Sequence, residues 1–215
     1  MARRTALTRE GIIEAAVAVA DDGGLAKVSM RNVGKQLGVE AMSLYHHLAD
    51  KDALLDELAN WTFTQIELPD PTTPWRPAMA ERASSARLVL SRHPWALGLL
   101  ESRRAPGPAL LRHHDAVLGH LRRDGFSVAL AGHAYSVIDA YVYGFVLTEV
   151  HLPFDPAGGP DGGVDEFVAE IRQFIPDDEY PYLAEHVTER VLGQDYAFGD
   201  EFGVGLDLIL DGLAR

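Results

Sequence analysis

The sequence has no cysteine among its 215 residues, which excludes disulfide bonds, thiolate zinc sites and cysteine nucleophiles. It also lacks any apolar run near the roughly 18 to 20 residues that a membrane-spanning helix needs. The N-terminal stretch MARRTALTREG has no apolar segment of the kind found in signal peptides. We therefore expect a cytoplasmic protein that works without redox chemistry and without a membrane partner.

Motifs of common enzyme folds are also missing. The sequence contains no G-x-S-x-G turn, no P-loop and no G-x-G-x-x-G. His113, His114 and His120 lie close together in sequence, but no H-E-x-x-H pattern accompanies them, and His114 points away from the face that the other two share. The sequence predicts a protein that is not an enzyme and that has neither a cofactor nor a metal site.

Basic residues are scarce and unevenly distributed. The chain has 19 Lys and Arg against 32 Asp and Glu, and its net charge of −13 argues by itself against binding to phosphate backbones. Residues 1–51, however, carry seven basic and six acidic side chains, so nearly all the excess negative charge lies beyond residue 51. The first quarter of the chain is the only part with the local charge that a nucleic-acid surface requires.

Apolar residues recur at three- and four-residue steps almost everywhere, which predicts an all-α fold. Thr8, Ser29 and Asp50 are placed as N-caps of the first, second and fourth helices. The prolines of 68–77 break the helical pattern, and glycine-rich 154–163 is expected to be a long mobile loop. Helices are predicted at about 9–23, 29–37, 40–47, 50–66, 77–92, 95–103, 108–123, 127–151, 164–174, 179–192 and 199–213.

The second and third predicted helices are short and are joined by a turn at Gly38, as in a helix-turn-helix. At 100° per residue, Leu44 and Leu48 face inward on the third helix. The outward side carries Met42, Ser43, Tyr45 and His46. Spacing alone is equally compatible with an amphipathic helical hairpin that has no role on DNA.

A long N-terminal stretch resembles the DNA-binding domain of the tetracycline repressor (TetR) family, in its tetracycline-repressor-type branch. The resemblance lies in VSMRNVGKQLGV, followed by SLYHHLADKDALLDEL, after a first helix that ends in a glycine turn. It covers residues 5–67 strongly and continues more weakly through GFS at 125–127 and the ending FGVGLDLILDGL.

The resemblance implies a repressor that binds a palindromic DNA operator as a homodimer and leaves it when a small-molecule effector binds. It divides the chain into a helix-turn-helix DNA-binding domain at 1–51 and a ligand-binding and dimerisation domain at 52–215. An activator, or a regulator that works without ligand, would have the same architecture, and both alternatives remain open.

DNA-contacting residues follow from the resemblance and from side-chain chemistry. Ser43 can donate to or accept from base edges, while Ala41 and Met42 can contact a thymine methyl group. The positions that match base-reading ones are Arg31, Ala41, Met42 and Ser43, and His46 is exposed beside them. The positions that match phosphate-contacting ones are Ser29, Tyr45, His47 and Lys51. Arg3, Arg4 and Arg9 either add backbone contacts or form a solvated arm.

Two helices carry more apolar surface than one buried face accounts for. The helix at 127–151 is apolar over much of its circumference, which fits a central core helix or an interface. The helix at 199–213 has the same property, and Gly203 and Gly205 permit close approach of another helix. Two such helices from each subunit would form a four-helix bundle in a twofold dimer.

Effector residues are predicted from the resemblance alone. The candidates are Trp61, Gln65, Arg82, Ala86, Leu100, Arg103, Arg104, Val117, Tyr135 and Asp139. Leu100, Arg82 and Glu67 replace the polar residues of the family's antibiotic-binding members, so magnesium–tetracycline is not the expected ligand. The arginines suit an anionic ligand, although an ion-paired or solvent-exposed role is the stronger expectation for each.

Overall fold

The computed structural model describes residues 7–102, 106–159, 163–176, 178–192 and 196–214. Every regular element within these ranges is helical, which confirms the all-α prediction. The described residues form two compact units, one up to Tyr143 and one from Gly144 onward. The predicted functional division after residue 51 is a different kind of boundary, and it stays a prediction.

The N-terminal helices are α1 (Arg9–Gly23), α2 (Met30–Leu37), α3 (Ala41–Leu44) and α4 (Lys51–Gln65), with a 3-10 turn at Leu25–Lys27. They continue with α5 (Trp75–Arg92), α6 (Trp95–Ser102), α7 (Pro108–Arg123) and α8 (Val128–Glu149). The remaining helices are α9 (Val164–Arg172), α10 (Pro181–His186) and α11 (Glu201–Leu213). A π-helical turn at Val187–Val191 extends α10, and a 3-10 turn at Phe198–Asp200 precedes α11.

Side-chain caps begin three of the first four helices, as the sequence predicts. The Thr8 hydroxyl accepts from the Gly11 N–H at 3.1 Å, and the Ser29 hydroxyl accepts from the Asn32 N–H at 3.2 Å. The Asp50 carboxylate accepts from the Ala53 N–H at 2.8 Å. Each cap satisfies an amide that has no partner within its own helix.

Several helix ends differ from the predicted ones by one to three residues, with the π-helical turn counted as part of α10, and the differences at α3 and α5 have identifiable causes. Helix α3 ends at Leu44 because the chain tightens there: the Leu44 carbonyl accepts from both His47 N–H at 2.9 Å and Leu48 N–H at 3.0 Å. Helix α5 begins at Trp75 rather than residue 77, since Pro77 falls in the first turn, where no intrahelical donor is required. The Trp75 N–H donates instead to the Asp124 carboxylate at 2.7 Å.

In the first unit, α1 packs on α2 and α4, and α4 packs on α5, α6 and α7. Apolar side chains such as Ile12, Leu54 and Leu58 are fully buried there. Helix α4 therefore contacts both the helices around the predicted reading head and those around the predicted pocket. None of the described helices is long and apolar enough to cross a membrane.

The second unit has its own small core. Val164, Val168 and Val187 are buried together, with Phe154 packed against them. The Phe145 ring lies 4.8 Å from the Phe198 ring and 5.1 Å from the Phe202 ring, measured between centroids. The predicted loop at 154–163 is described up to Gly159, and its Gly158 has φ 70° with the backbone of Tyr196 against it.

We predict that Gly38→Ala lowers the free energy of unfolding by about 1–2 kcal/mol, because Gly38 has φ 67° and a Cβ disfavours that left-handed conformation. No atom lies within 4 Å of the added Cβ, so the loss reports on the backbone alone. Gly38→Asn should lose less, because asparagine tolerates the same conformation. Urea unfolding measures both, and equal losses would contradict the explanation.

Candidate functional site

Helices α2 and α3 meet at unusually close range. A Cβ on Gly34 would lie 3.0 Å from the Val39 carbonyl oxygen and 3.3 Å from the Ala41 Cα, so a larger residue cannot fit without displacing the turn. Val33, Leu44 and Leu48 are buried beneath this contact. The inward-facing residues are those that helical spacing predicts. Their burial fixes which side of α3 faces solvent.

The outer side of α3 exposes side chains that are usually buried. Met42 is 72% exposed and Tyr45 is 45% exposed. His46 is exposed as well, whereas Ala41, Ser43 and His47 are half-buried. An exposed methionine and tyrosine side by side on a short helix form an apolar contact surface with a hydroxyl at its edge, suited to base edges and phosphates.

The cations around this surface are available to a ligand. Arg31 on α2 and Lys51 at the start of α4 are exposed, and neither forms an ion pair with any described residue. Ser29 is half-buried and its oxygen accepts the cap hydrogen bond, which leaves its O–H free to donate. Arg9, in contrast, donates to Glu57 of α4 at 2.6 Å. Arg3 and Arg4 lie outside the described residues.

A polar junction ties α1 to α6. The Asp21 carboxylate accepts from the Trp95 indole N–H at 2.6 Å and lies 2.8 Å from the His93 Nδ1. Trp61 of α4 packs against both rings, with centroids 5.1 Å from His93 and 6.4 Å from Trp95. Trp61, a predicted pocket residue, therefore contacts this junction and links α4 to it.

A buried ion pair lies between α5 and α8. The Arg82 Nη1 donates to the Asp139 Oδ1 at 2.5 Å, and Arg82 is only 2% exposed. The Tyr143 hydroxyl lies 3.4 Å from the other carboxylate oxygen, and the Arg82 guanidinium lies 5.6 Å from the Tyr135 ring centroid. The His114 ring stacks on the Tyr135 ring, with 3.9 Å between the two centroids.

These contacts determine the protonation states. Burial opposes the charge on Arg82, but the adjacent Asp139 carboxylate offsets it, and the pKa of Arg82 is raised. Burial, followed by the negative charge of Asp139, raises the pKa of Tyr135 and of Tyr143 well above the ordinary tyrosine value. Both phenols are therefore neutral hydrogen-bonding groups at neutral pH.

His113 lies near this group on α7. Burial, and then the positive charge of Arg82, lower the pKa of His113, although the nearby backbone of Phe63 and Ile66 partly opposes this shift. The ring is consequently neutral at neutral pH, and its Nδ1 has no hydrogen-bond partner among the described residues. Among those residues, no group of three or more His, Asp or Glu side chains is arranged to hold a metal ion.

A cavity of about 280 Å³ opens between α4 and α7 beside His113. Its remaining lining consists of Phe63, Thr64, Ile66, Leu68, Ala109 and Arg112. None of these residues is among the ten predicted pocket residues. The sequence did carry a signal for His113, because it stands four residues after Ala109 and four before Val117, on the buried face of α7.

The predicted pocket residues divide into separate groups. Arg82, Tyr135 and Asp139 form the ion-pair group, and Ala86 and Val117 are buried. Leu100 is half-buried, and Gln65 is exposed in a surface groove between α4 and α5, away from the cavity at His113. Arg103 and Arg104 lie outside the described residues. Among the predicted pocket residues that the structure describes, Arg82, Tyr135 and Asp139 are in direct contact.

Two family models match the chain along most of its length. One, described as bacterial regulatory proteins of the tetR family, matches residues 12–58. The other, described as the tetracyclin repressor-like C-terminal domain, matches residues 68–215. The chain belongs to the TetR family of transcriptional regulators. The resemblance seen in the sequence is confirmed.

Individual relatives agree with this assignment. The chain is 33% identical over 214 residues to the transcriptional repressor DrrR1 of Streptomyces coeruleorubidus, covering 96% of this chain and 77% of that protein. It is 26% identical over 195 residues to the class D tetracycline repressor protein of Escherichia coli, covering 86% and 88%. The solved structure of ActR from Streptomyces coelicolor with actinorhodin has a TM-score of 0.78 at 23% identity, covering 100% and 97%, and shows the shared fold.

Membership in the TetR family assigns the protein to transcriptional regulation but gives no role to individual residues. The matched relatives are transcriptional regulators, which agrees with the prediction that the protein is not an enzyme. The DNA-contacting and effector-contacting residues stay predictions.

We predict that breaking the buried ion pair on one side destabilises the protein by about 3–5 kcal/mol, because the remaining charge is left buried without a partner. Arg82→Met and Asp139→Leu should each show this loss. The double variant Arg82→Met/Asp139→Leu should recover most of it, since no buried charge remains. Urea unfolding at a fixed protein concentration measures the cycle, and losses that simply add would contradict coupling between the two side chains.

Proposed function

We propose that the protein is a ligand-responsive transcriptional repressor that binds a palindromic operator as a homodimer in the cytoplasm. Residues 1–51 bind DNA, and residues 52–215 dimerise and bind a small-molecule effector that releases the operator. The observation that carries the DNA-binding part is the outer surface of α3, where Met42 and Tyr45 are exposed above a buried Leu44 and Leu48.

The DNA surface is proposed to combine base readout with phosphate contacts. Arg31, Ala41, Met42 and Ser43 read base edges in the major groove, with His46 at their border. Ser29, Tyr45, His47 and Lys51 contact phosphates. Arg31 and Lys51 support this division, because they are exposed and form no ion pair with any residue that the structure describes, so they can replace the counterions of DNA. An activator would use the same surface, and the position of the operator relative to the promoter distinguishes the two.

Dimerisation is supported by an exposed apolar face in the second unit. Leu208 is 71% exposed and Val204 is 58% exposed on the side of α11 opposite its buried Phe202 and Leu206. Leu147 at the end of α8 is also exposed. No atom of the residues that the structure describes lies within 4 Å of a Cβ built on Gly144 or Gly203, so a partner helix can approach both helices closely. Covering this face with a second copy forms a four-helix bundle.

We propose that α4 transmits the effect of ligand binding to the DNA-binding helices. This helix begins at Lys51, holds α1 through the Arg9–Glu57 ion pair and contacts the Asp21 junction through Trp61. A ligand that prefers one arrangement of α4 would shift the spacing of the two reading heads, and operator affinity would fall by the coupling energy. Leu100, Arg82 and Glu67 at the positions that match the antibiotic-binding residues favour a ligand other than magnesium–tetracycline.

Selection of genomic DNA fragments by the purified protein tests the proposal. A palindromic site with half-sites roughly 34–36 Å apart, about one helical turn, is the expected result. Lys51→Ala should then weaken binding to that site and reduce the slope of log K against log salt by about 1, because one phosphate contact is lost.

Arg123→Ala is the matched control for that variant. It removes an exposed cation at the end of α7, away from the proposed DNA surface, and should leave affinity and salt slope unchanged. Enrichment of no sequence, or equal effects of the two variants, would contradict the assignment.

Leu208→Asp is expected to convert the dimer to a monomer, because it places a charge in the centre of the proposed interface. Leu111→Asp, at another exposed leucine on α7, should leave the dimer intact. Analytical ultracentrifugation measures both, and a monomeric wild-type protein would refute the dimer outright.

A further inference from the structure

We propose that Met42 is an oxidation site through which a peroxide weakens operator binding. The thioether sulfur takes one oxygen atom from hydrogen peroxide and becomes a sulfoxide, and one molecule of water is released. The sulfur gives up the two electrons that the peroxide gains, so no further reactant is needed. Oxidation at Met42 stands on the exposure of its side chain, whereas the loss of operator binding rests also on the proposed function.

Met42 is the accessible sulfur in the part of the chain that the structure describes. The sequence has four methionines. The Met42 side chain is 72% exposed, whereas Met30 is 7% exposed and Met79 is 0% exposed. Met1 lies outside the described residues. Oxidants reach exposed sulfur atoms first, so Met42 should react before the two buried methionines.

The absence of cysteine leaves methionine as the sulfur that a peroxide meets. A cysteine thiolate, where a protein has one, competes for the oxidant. The lack of cysteine excludes thiol chemistry, but the thioether of an exposed methionine is still oxidisable, and its sulfoxide can be reduced again by dedicated enzymes. The expectation of a protein without redox chemistry therefore applies to thiols alone.

Met42 lies on the proposed DNA surface, where a change of polarity matters most. It is the second residue of α3, and the buried Leu44 and Leu48 fix which side of that helix faces solvent. Among residues 7–67, all of which the structure describes, Met42 and Tyr45 are the large apolar side chains that are exposed. An apolar side chain at this place can contact a thymine methyl group.

Oxidation replaces that apolar contact by a polar one of the wrong kind. The sulfoxide oxygen is hydrated, and burying it against DNA without a donor costs free energy. Guanine N7 and O6, adenine N7 and thymine O4 are all acceptors on the major-groove edge, and phosphate oxygens are acceptors as well. An oxygen that can only accept therefore meets mostly other acceptors, and the affinity for the operator falls.

Peptide mapping by mass spectrometry, after treatment of the full-length protein with hydrogen peroxide, measures oxidation at each methionine. Met42 should gain one oxygen atom at least about tenfold faster than Met30 and Met79, because the fold must open before peroxide reaches either of them. Equal rates at the three positions would refute the oxidation site, whether or not the protein binds DNA.

Gel shift with the selected DNA, after the peroxide has been removed, measures the consequence for binding. Protein oxidised at Met42 should bind its operator about tenfold or more weakly, because each reading head of the proposed dimer must bury an unpaired oxygen. Its circular dichroism spectrum should stay that of the untreated protein, since an exposed side chain has changed. An unchanged affinity, or a loss of helix, would overturn the effect.

Met42→Leu and Met79→Leu make the same substitution at an exposed and at a buried methionine, and each is compared with its own untreated sample. Peroxide should change the operator affinity of Met42→Leu by less than about twofold, because leucine has no sulfur to oxidise. Peroxide should weaken Met79→Leu as it weakens the wild type. A peroxide-sensitive Met42→Leu variant would assign the effect to another residue.

Operator DNA present during oxidation shows where Met42 lies in the complex. A side chain packed against bases is shielded, so saturating operator should slow oxidation of Met42 by at least about fivefold. A duplex of the same length without the operator sequence should protect it less. Oxidation at the same rate with and without operator would contradict the contact between Met42 and the bases.

Repair by enzymes distinguishes the sulfoxide from other damage. The two methionine sulfoxide reductases, one for each sulfoxide epimer, should restore the operator affinity of the oxidised wild type to within about twofold. Affinity that stays low after repair would refute Met42 as its cause. If untreated protein binds no duplex, the proposed function and the effect on binding fail together, and the peptide map still decides the oxidation site. If treated and untreated protein bind the operator equally, the proposed function stands and the effect of oxidation is refuted.

Discussion

The close approach of α2 and α3 is the constraint on which the proposed DNA surface depends. With no side chain at Gly34, the backbone of Val39 and Ala41 can lie against α2, and Gly38 turns the chain in a conformation that other residues avoid. Leu44 and Leu48 are then buried, and the rotation of α3 about its axis is fixed. Met42 and Tyr45 are exposed because of this packing, and a shift of one residue in α3 would place Tyr45 at the buried position of Leu44.

The core of the first unit also contains buried polar and charged side chains. Arg82, Asp139, His113 and His120 are buried, and several of their nitrogen atoms have no hydrogen-bond partner among the described residues. A core built only for stability would hold apolar residues there, since replacing buried ion pairs by apolar ones is often neutral or stabilising. Stability alone therefore does not explain these buried polar side chains, and the proposed effector response gives them a second use.

Local signals made most of the fold predictable from the sequence. The sequence predicts Thr8, Ser29 and Asp50 as N-caps because each has a side-chain oxygen and precedes a run of apolar residues at helical spacing. Each side chain accepts a hydrogen bond from a backbone N–H in the first turn of its helix. Helix α3 was predicted too long because its last turn is tightened by the packing of Leu48, which depends on tertiary contacts. The sequence predicts the start of α5 two residues too late because proline usually breaks a helix, although it is tolerated in a first turn.

The pocket was less predictable for a physical reason. Positions matched by resemblance indicate which helices surround a ligand, but the side chains that line a cavity depend on helix packing across the chain. Trp61 turned toward His93 and Trp95, and Gln65 lies on the surface. The sequence indicates His113 only as a possible metal ligand, because its burial and its neutral state depend on Phe63 and Arg82, which are distant in sequence.

The free energy of a few hydrogen bonds is large enough to operate the proposed effector response. Coupling between an effector and an operator is typically about 1–3 kcal/mol. One hydrogen bond contributes about 0.5–1.5 kcal/mol, and one to a charged group about 1.5–3 kcal/mol. The Asp21 carboxylate holds Trp95 and His93 by two such contacts, but it is partly exposed, so solvent reduces their worth toward the lower values. In the proposed homodimer, losing them in both subunits would be of the size that the proposed operator release requires, without any rearrangement of the apolar core.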